Sequence, residues 1–243
     1  MRMSEKEILT RYKYTFLGFL WIVLNPVLQM LTIGFVFTFF VKDPIQNYYF
    51  YLFIGLLIWN FFSLSTTKAT SSIVWERNLI KKASFPKSVI PLSIILSNFI
   101  HLVIALVIFS IPLIFLKTFT ITSPLSIIAG LILLLAFTTG FGLLTSSLNV
   151  KYRDVSFFVQ ALLTVWFYAS PIIYPLSTIP YKFYWLWRIN PMTSVLQLLQ
   201  HGFLNLPLPG IGMLVSNITI ILVVLFLGII VFKNESKDFD DWI

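Results

Sequence analysis

Apolar residues run through this chain in long blocks rather than in alternation, and short clusters of charge separate the blocks. Crossing about 30 Å of hydrocarbon takes roughly 20 mostly apolar helical residues. Six stretches meet that length, at about 16–41, 48–67, 89–116, 125–149, 155–174 and 211–232. The first sits in a charge-free run, Tyr14–Val41, which as a helix would extend about 42 Å and could tilt or begin in the interface. The second is the least regular, because Ser63, Ser65, Thr66 and Thr67 dilute its end. No short apolar core with a small-residue cleavage site stands before them, so the first span is expected to stay in the protein. The pattern predicts an all-α integral membrane protein with six transmembrane helices, a single transmembrane domain over 1–243.

Composition strengthens this reading. Of the 243 residues, 58% are hydrophobic and 11% charged, against about 25% charged in soluble domains. There is too little polar surface here to clothe a water-soluble globule. The formal charge is +8, which first suggests nucleic acid, but its placement follows topology. With both termini cytoplasmic, the inner side carries Arg2, Lys6, Arg11, Lys13, Lys68, Arg77, Lys81, Lys82, Lys87, Lys151, Arg153, Lys233 and Lys237. The outer side carries Lys42, Lys117, Lys182 and Arg188. Such a bias is the positive-inside signature of the cytoplasmic (inner) membrane, and the excess also attracts anionic headgroups. No nucleic-acid partner is needed.

The connections have their own patterns. Met3–Thr15 reads as an amphipathic interface helix, covering 3–15, with Ser4 and Glu7 at capping-box spacing and Ile8, Tyr12 and Phe16 on one face. It suits a juxtamembrane anchor or a docking element. The loop 68–87 is too polar for hydrocarbon, yet Trp75, Leu79, Ile80 and Phe85 give it an apolar side. It is either a solvated connector or a short cytoplasmic helix that inserts into a partner. The outer region 175–210 holds Pro175, Pro180, Pro191, Pro207 and Pro209 among Tyr181, Phe183, Tyr184, Trp185 and Trp187. Its aromatics suit a membrane-interface belt. Asn190-Pro191 reads as a helix start, with Met192–Leu204 a short helix dipping back into the membrane.

Several chemistries are excluded. With no cysteine, disulfides, thiolate metal sites and Cys nucleophiles are out. None of the ten glycines frames a phosphate-binding G-x-x-x-x-G-K-[ST] loop, and H-E-x-x-H and G-x-S-x-G are absent. All nine carboxylates fall in loops or tails, whereas ion-coupled transporters keep ionisable groups at membrane depth. His101 continues a stripe with Ser93 and Ser97 and is expected to pack between helices. Any transport must therefore draw its energy from another subunit, and no cofactor is expected on this chain. An intramembrane lipid- or glycan-processing enzyme would need carboxylate or histidine clusters, and only Arg153-Asp154 is even paired. A channel or structural subunit without energy coupling remains a third class.

Two spans carry polar stripes. In span one, Trp21, Asn25, Gln29, Thr32, Phe35 and Phe39 follow at intervals of 4, 4, 3, 3 and 4. In span five, Phe157, Gln160, Thr164, Phe167, Pro171 and Tyr174 follow at 3, 4, 3, 4 and 3. Each set falls on one helical face. A pyranose presents hydroxyl edges and C–H faces, so amides, hydroxyls and aromatic rings together suit a sugar path. The other use of such groups is to tie helices to one another, worth on average about 0.6 kcal/mol per bond in a membrane bundle. The mixture on both stripes favours the path.

Three segments carry a family resemblance: Arg11-Tyr-Lys-Tyr14 through Gly18, Trp21 and Asn25-Pro26; Asn78-Leu-Ile-Lys-Lys82 with Phe85-Pro86-Lys87 and Pro91-Leu-Ser93; and Asn149-Val-Lys-Tyr-Arg153-Asp154 followed by Trp166–Pro175 and Asn190-Pro191. In this order they resemble the permease subunit of ABC-2-type polysaccharide exporters, nearest the O-antigen exporter permease, with the teichoic-acid exporter next. The resemblance implies a homodimer with two copies of a separate ABC ATPase that binds ATP and Mg. It implies export of lipid-linked polysaccharide from cytoplasm to periplasm, with capsular polymer a further alternative. It makes 68–87 a coupling loop with a coupling helix, so that Trp75, Glu76, Arg77, Leu79, Lys81 and Lys82, with Arg153 and Asp154 before span five, face the ATPase. It makes 175–210 a periplasmic gate of short re-entrant helices.

Overall fold

Pro124 and Pro191 each follow a side chain able to cap a helix, and both mark real starts. A computed structural model describes residues 21–38, 47–82, 85–115 and 122–242. The interface helix at 3–15, the start of span one and Phe39 lie outside the described residues. Ten α-helices are described: α1 (Trp21–Thr38), α2 (Tyr48–Trp75), α3 (Arg77–Lys82), α4 (Val89–Phe115), α5 (Pro124–Lys151), α6 (Val155–Tyr168), α7 (Tyr184–Ile189), α8 (Pro191–Leu204), α9 (Ile211–Glu235) and α10 (Phe239–Trp242). At the start of α5, Ser123 Oγ accepts the Ser126 N–H at 3.3 Å. At the start of α8, Asn190 Oδ1 accepts the Met192 N–H at 3.1 Å. A capping oxygen followed by proline at the first helical position leaves few unpaired N–H groups.

Four of these helices are long and apolar enough to cross a membrane: α2, α4 over Val89–Ser110, α5 and α9. The chain is a multi-pass, all-helical membrane protein; among the described residues there is no strand. Helix α2 is the axis. It packs against α1, α4, α5, α6 and α8, and its run Tyr51–Trp59 is buried without a break, as expected of a helix apolar on every side. Phe62, Phe137, Phe141 and Trp166 close the centre, the Phe62 ring stacked on Phe137 at 5.2 Å and edge-on to Trp166 at 5.5 Å. Helix α9 lies along α5 and turns Leu222, Val223, Phe226 and Ile229 outward, a surface suited to lipid.

Two sequence expectations shift. Span two was expected to end near 67, but α2 continues to Trp75. Its hydroxyls bond their own helix, Thr70 Oγ1 to the Thr66 carbonyl at 2.7 Å and Ser72 Oγ to Ala69 at 2.7 Å, so serine and threonine dilute the hydropathy without ending the helix. Span five was expected to reach 174, but α6 stops at Tyr168 after 14 residues. Pro171 offers no N–H and disfavours helical backbone at Ser170, while the apolar composition runs on through Ile172 and Ile173. At about 21 Å, α6 alone is too short to cross.

Two apolar clusters divide the bundle. The larger spans α2, α4, α5, α6, α8 and α9. The smaller joins Ile73, Ile80, Ile90, Leu143, Val150, Phe232 and Phe239, at the end where α2, α5 and α9 finish and α4 begins. Lys81, Lys82, Lys87, Lys151, Arg153, Lys233 and Lys237 belong to this basic end.

Candidate functional site: a polar groove between three helices

Between α1, α2 and α6 runs a groove of about 520 Å³, lined by Gln29 and Ile33 of α1; Leu56, Trp59, Asn60, Ser63 and Thr67 of α2; and Gln160, Leu163, Thr164, Phe167 and Tyr168 of α6. The two stripes read from the sequence meet here in part. Gln29 comes from the first, and Gln160, Thr164 and Phe167 from the second. Trp21, Asn25, Thr32 and Phe35 lie on exposed surface of α1, Phe35 at 64%. Phe157 is exposed at 70% beyond the groove. Pro171 and Tyr174 leave the stripe altogether, because α6 has ended before them.

The wall the sequence reading did not assign is α2. Leu56, Asn60, Ser63 and Thr67 follow at 4, 3 and 4 and face the groove as a third stripe. The signal was present in that spacing, but these hydroxyls read as dilution of a span. Asn60 Nδ2 donates to Gln29 Oε1 at 3.1 Å, so one amide pair both lines the groove and joins α1 to α2. Thr164 Oγ1 spends its hydrogen on the Gln160 carbonyl at 3.0 Å, and Thr32 does the same with Leu28 at 2.9 Å. Gln160 and Thr164 are exposed on the groove, and Thr32 on the open face of α1. Trp59 and Phe167, with ring centres 5.7 Å apart, supply the aromatic side. The surface can take up a ligand with hydroxyl edges and apolar faces; no carboxylate or histidine lies in its lining.

The end of the groove away from the basic cluster is held by a chain reversal after α6. The Tyr51 hydroxyl lies 2.7 Å from the Pro171 carbonyl oxygen and 2.8 Å from that of Tyr174. Tyr48 donates to Ile173 O at 2.9 Å. Asn190 binds the other side: its Nδ2 donates to Ala169 O at 3.1 Å and Ser170 Oγ at 3.0 Å, and its Oδ1 accepts the Trp166 indole N–H at 2.9 Å. Buried carbonyls that a proline and a turn have left outside any helix thereby find donors. Beyond the reversal, Asn217 of α9 accepts from the Ser194 hydroxyl at 2.6 Å and donates to Arg188 O at 2.7 Å. Helices α7, α8 and α9 are thus pinned together at the end of the bundle opposite the lysine cluster.

At the basic end, the residues expected to face an ATPase spread over an open surface. Trp75 is 68% exposed at the close of α2, Glu76 forms the turn, and Arg77, Lys81 and Lys82 lie outward on α3. Leu79 is half-buried, and Ile80 points inward. Arg153 and Asp154 are exposed in the turn before α6.

The geometry fits what the chain is similar to. The sequence model of the ABC-2 type transporter family matches residues 1–204. The O-antigen export system permease protein RfbA of Myxococcus xanthus is 32% identical over 256 residues, covering 98% of this chain and 92% of that protein. A protein of the same name from Klebsiella pneumoniae is 33% identical over 207 residues, covering 84% and 79%. The polysialic acid transport protein KpsM of Escherichia coli is 24% identical over 240 residues, covering 96% and 91%. With the family match spanning most of its length and relatives of this closeness covering nearly all of it, the chain belongs to the ABC-2 type transporter family.

Proposed function

We propose that this chain is the transmembrane permease subunit of an ATP-driven exporter that moves a lipid-linked, O-antigen-like polysaccharide from cytoplasm to periplasm across the inner membrane. In this reading two copies form a homodimer with two ABC ATPase subunits, which hold ATP and Mg. Six spans place both termini in the cytoplasm. Span one includes α1, and span five is completed by α6 with the reversal to Tyr174. The segment 68–87 with α3, and the Arg153-Asp154 turn, receive the ATPase. The 175–210 region, containing α7 and α8, is the periplasmic gate.

The observation that carries this is the groove. Amides, hydroxyls and aromatic rings from three helices form one surface in a family member, and the sequence has no phosphate-binding loop. We assign the polymer's path to Gln29, Asn60, Ser63, Thr67, Gln160, Thr164 and Phe167, extended by the exposed Asn25 and Thr32 faces of α1 and by Trp21, Phe35, Phe157 and Tyr174 toward its ends; Phe39 joins the assignment by its spacing in the sequence stripe alone. A capsular polymer is the second reading, favoured by the KpsM relative.

The test is transport into inverted membrane vesicles. The chain purified alone should hydrolyse no ATP, whereas together with its co-purifying ATPase it should carry lipid-linked glycan into the lumen when ATP is added. ATP hydrolysis by the isolated chain, or glycan uptake unaffected by removing ATP, would overturn the proposal. The glycan that is carried decides between O-antigen and capsule.

A further inference from the structure

Residues 236–242 fold back onto the basic end. Helix α9 ends at Glu235, where the Ser236 N–H caps the Phe232 carbonyl at 2.9 Å and the Asp238 N–H bonds Glu235 O at 3.1 Å. This turn returns Phe239 beside Phe232, ring centres 5.4 Å apart and planes at 89°, and leaves Phe239 only 1% exposed. Phe239 completes the small cluster in which Ile80 of α3 (6% exposed) meets Ile73, Ile90, Leu143 and Val150. The tail also reaches the two connections on either side. Lys87, at the far end of the α3 connection, donates to Ser236 O at 3.1 Å with its Nζ 5.8 Å from the centre of the Phe239 ring. Lys151 Nζ lies 5.6 Å from the Trp242 ring, and Arg153 Nη2 donates to Trp242 O at 3.5 Å.

One short segment thus touches both connections that the proposed ATPase surface uses, yet it belongs to neither. The inward side of α3 has a single buried anchor, Ile80, and a helix of six residues cannot hold its own place in water. Its position depends on the cluster that Ile80 joins, and the tail contributes Phe239 to that same cluster. We propose that Ser236–Trp242 is a positioning strap that fixes α3 and the Lys151–Asp154 turn relative to one another, so that a push on either is passed to α2 and α6 together. Phe239 is the principal positioning residue, with Lys87 and Trp242 fastening its two sides. The strap itself is argued from contacts in this chain; its effect on transport rests on the function proposed above.

The test uses the absence of native cysteine. In the full chain, purified and placed in lipid nanodiscs, a single Ile80→Cys should react slowly with a membrane-impermeant maleimide, and Lys82→Cys quickly. Adding Phe239→Ala should raise the Ile80→Cys rate about tenfold toward the Lys82→Cys rate, because protection follows local opening. Met192→Cys, buried at the opposite end, should stay protected. If it also labels, the bundle has opened, and Lys87→Met, which removes the ammonium that bonds Ser236 and lies over the Phe239 ring, replaces Phe239→Ala in the same comparison. An Ile80→Cys rate unchanged in both backgrounds overturns the strap. In vesicles holding the chain and its co-purifying ATPase, Phe239→Ala should lower export about fivefold or more, the lower range of coupling free energies, while ATP hydrolysis stays near the parent rate. Export and hydrolysis falling together, or neither falling, would show that the tail plays no part in transmission. If no ATPase co-purifies, the proposed function fails while the labelling result still decides the strap.

Discussion

Tyr51 does two jobs that only a buried phenol can combine. Its ring belongs to the packed run of α2, and its hydroxyl reaches the Pro171 and Tyr174 carbonyls that the end of α6 leaves without helical partners. Replacing it with Phe keeps the ring, removes the donor shared by the two carbonyls and leaves Pro171 O only the long bond from Gln200 Nε2 at 3.5 Å, a loss of about 1–3 kcal/mol. Tyr48→Phe should cost less, since Tyr48 is only half-buried and water or headgroups can replace its single bond to Ile173 O. Equilibrium unfolding of the two variants in mixed micelles should give that order, and equal losses would show that the reversal is not held by Tyr51. Such a role was hidden in the sequence. In the sequence Tyr48 and Tyr51 are only part of the second span, and nothing in their spacing announces a carbonyl more than a hundred residues away.

Among elements, α5 and α9 cross backbone to backbone. A Cβ added to Gly228 would fall on the Gly140 carbonyl oxygen, and one added to Gly140 would strike the Leu225 backbone at its Cα and nitrogen. In a membrane, helices associate by close van der Waals packing rather than by the hydrophobic effect, so small residues at the crossing set the distance. Gly228→Val should therefore cost about 1–3 kcal/mol or more through forced separation. Gly212→Ala, with nothing within 4 Å of the added carbon, should change stability by less than about 0.5 kcal/mol. The same unfolding assay reads both, and equal effects would contradict the crossing. Element types and most starts were legible in the sequence: the blocks beginning near 48, 89, 125, 155 and 211 are helices, and Asn190-Pro191 opens α8. The ends were less legible where hydropathy and backbone geometry disagree. Threonine and serine lowered the apolar signal while α2 continued, and Pro171 stopped α6 inside an apolar run.

For the whole molecule, one residue of the first polar stripe and three of the second came together in the groove, and the wall between them was the helix read as the least regular span. Periodicity places residues on a face but not against a neighbour; that depends on how α1 and α6 pack across α2. The open surface at the basic end suits a charged partner. Reversing both charges, Glu76→Lys with Arg77→Glu, should leave membrane insertion intact. It should reduce ATPase co-purification several-fold, since exposed pairs contribute up to about 1 kcal/mol each. Unchanged co-purification and export would make the loop a connector only. Cysteine accessibility tests whether sugar passes along the groove. Gln29→Cys, Asn60→Cys and Gln160→Cys, placed singly in the Cys-free chain, should react with a small polar thiol reagent in membranes about tenfold faster than Trp166→Cys and Leu199→Cys in the packed core. Their rates should rise further while ATP drives export. If the core positions label as fast as the groove positions, or if export leaves the groove rates unchanged, the polymer does not travel there.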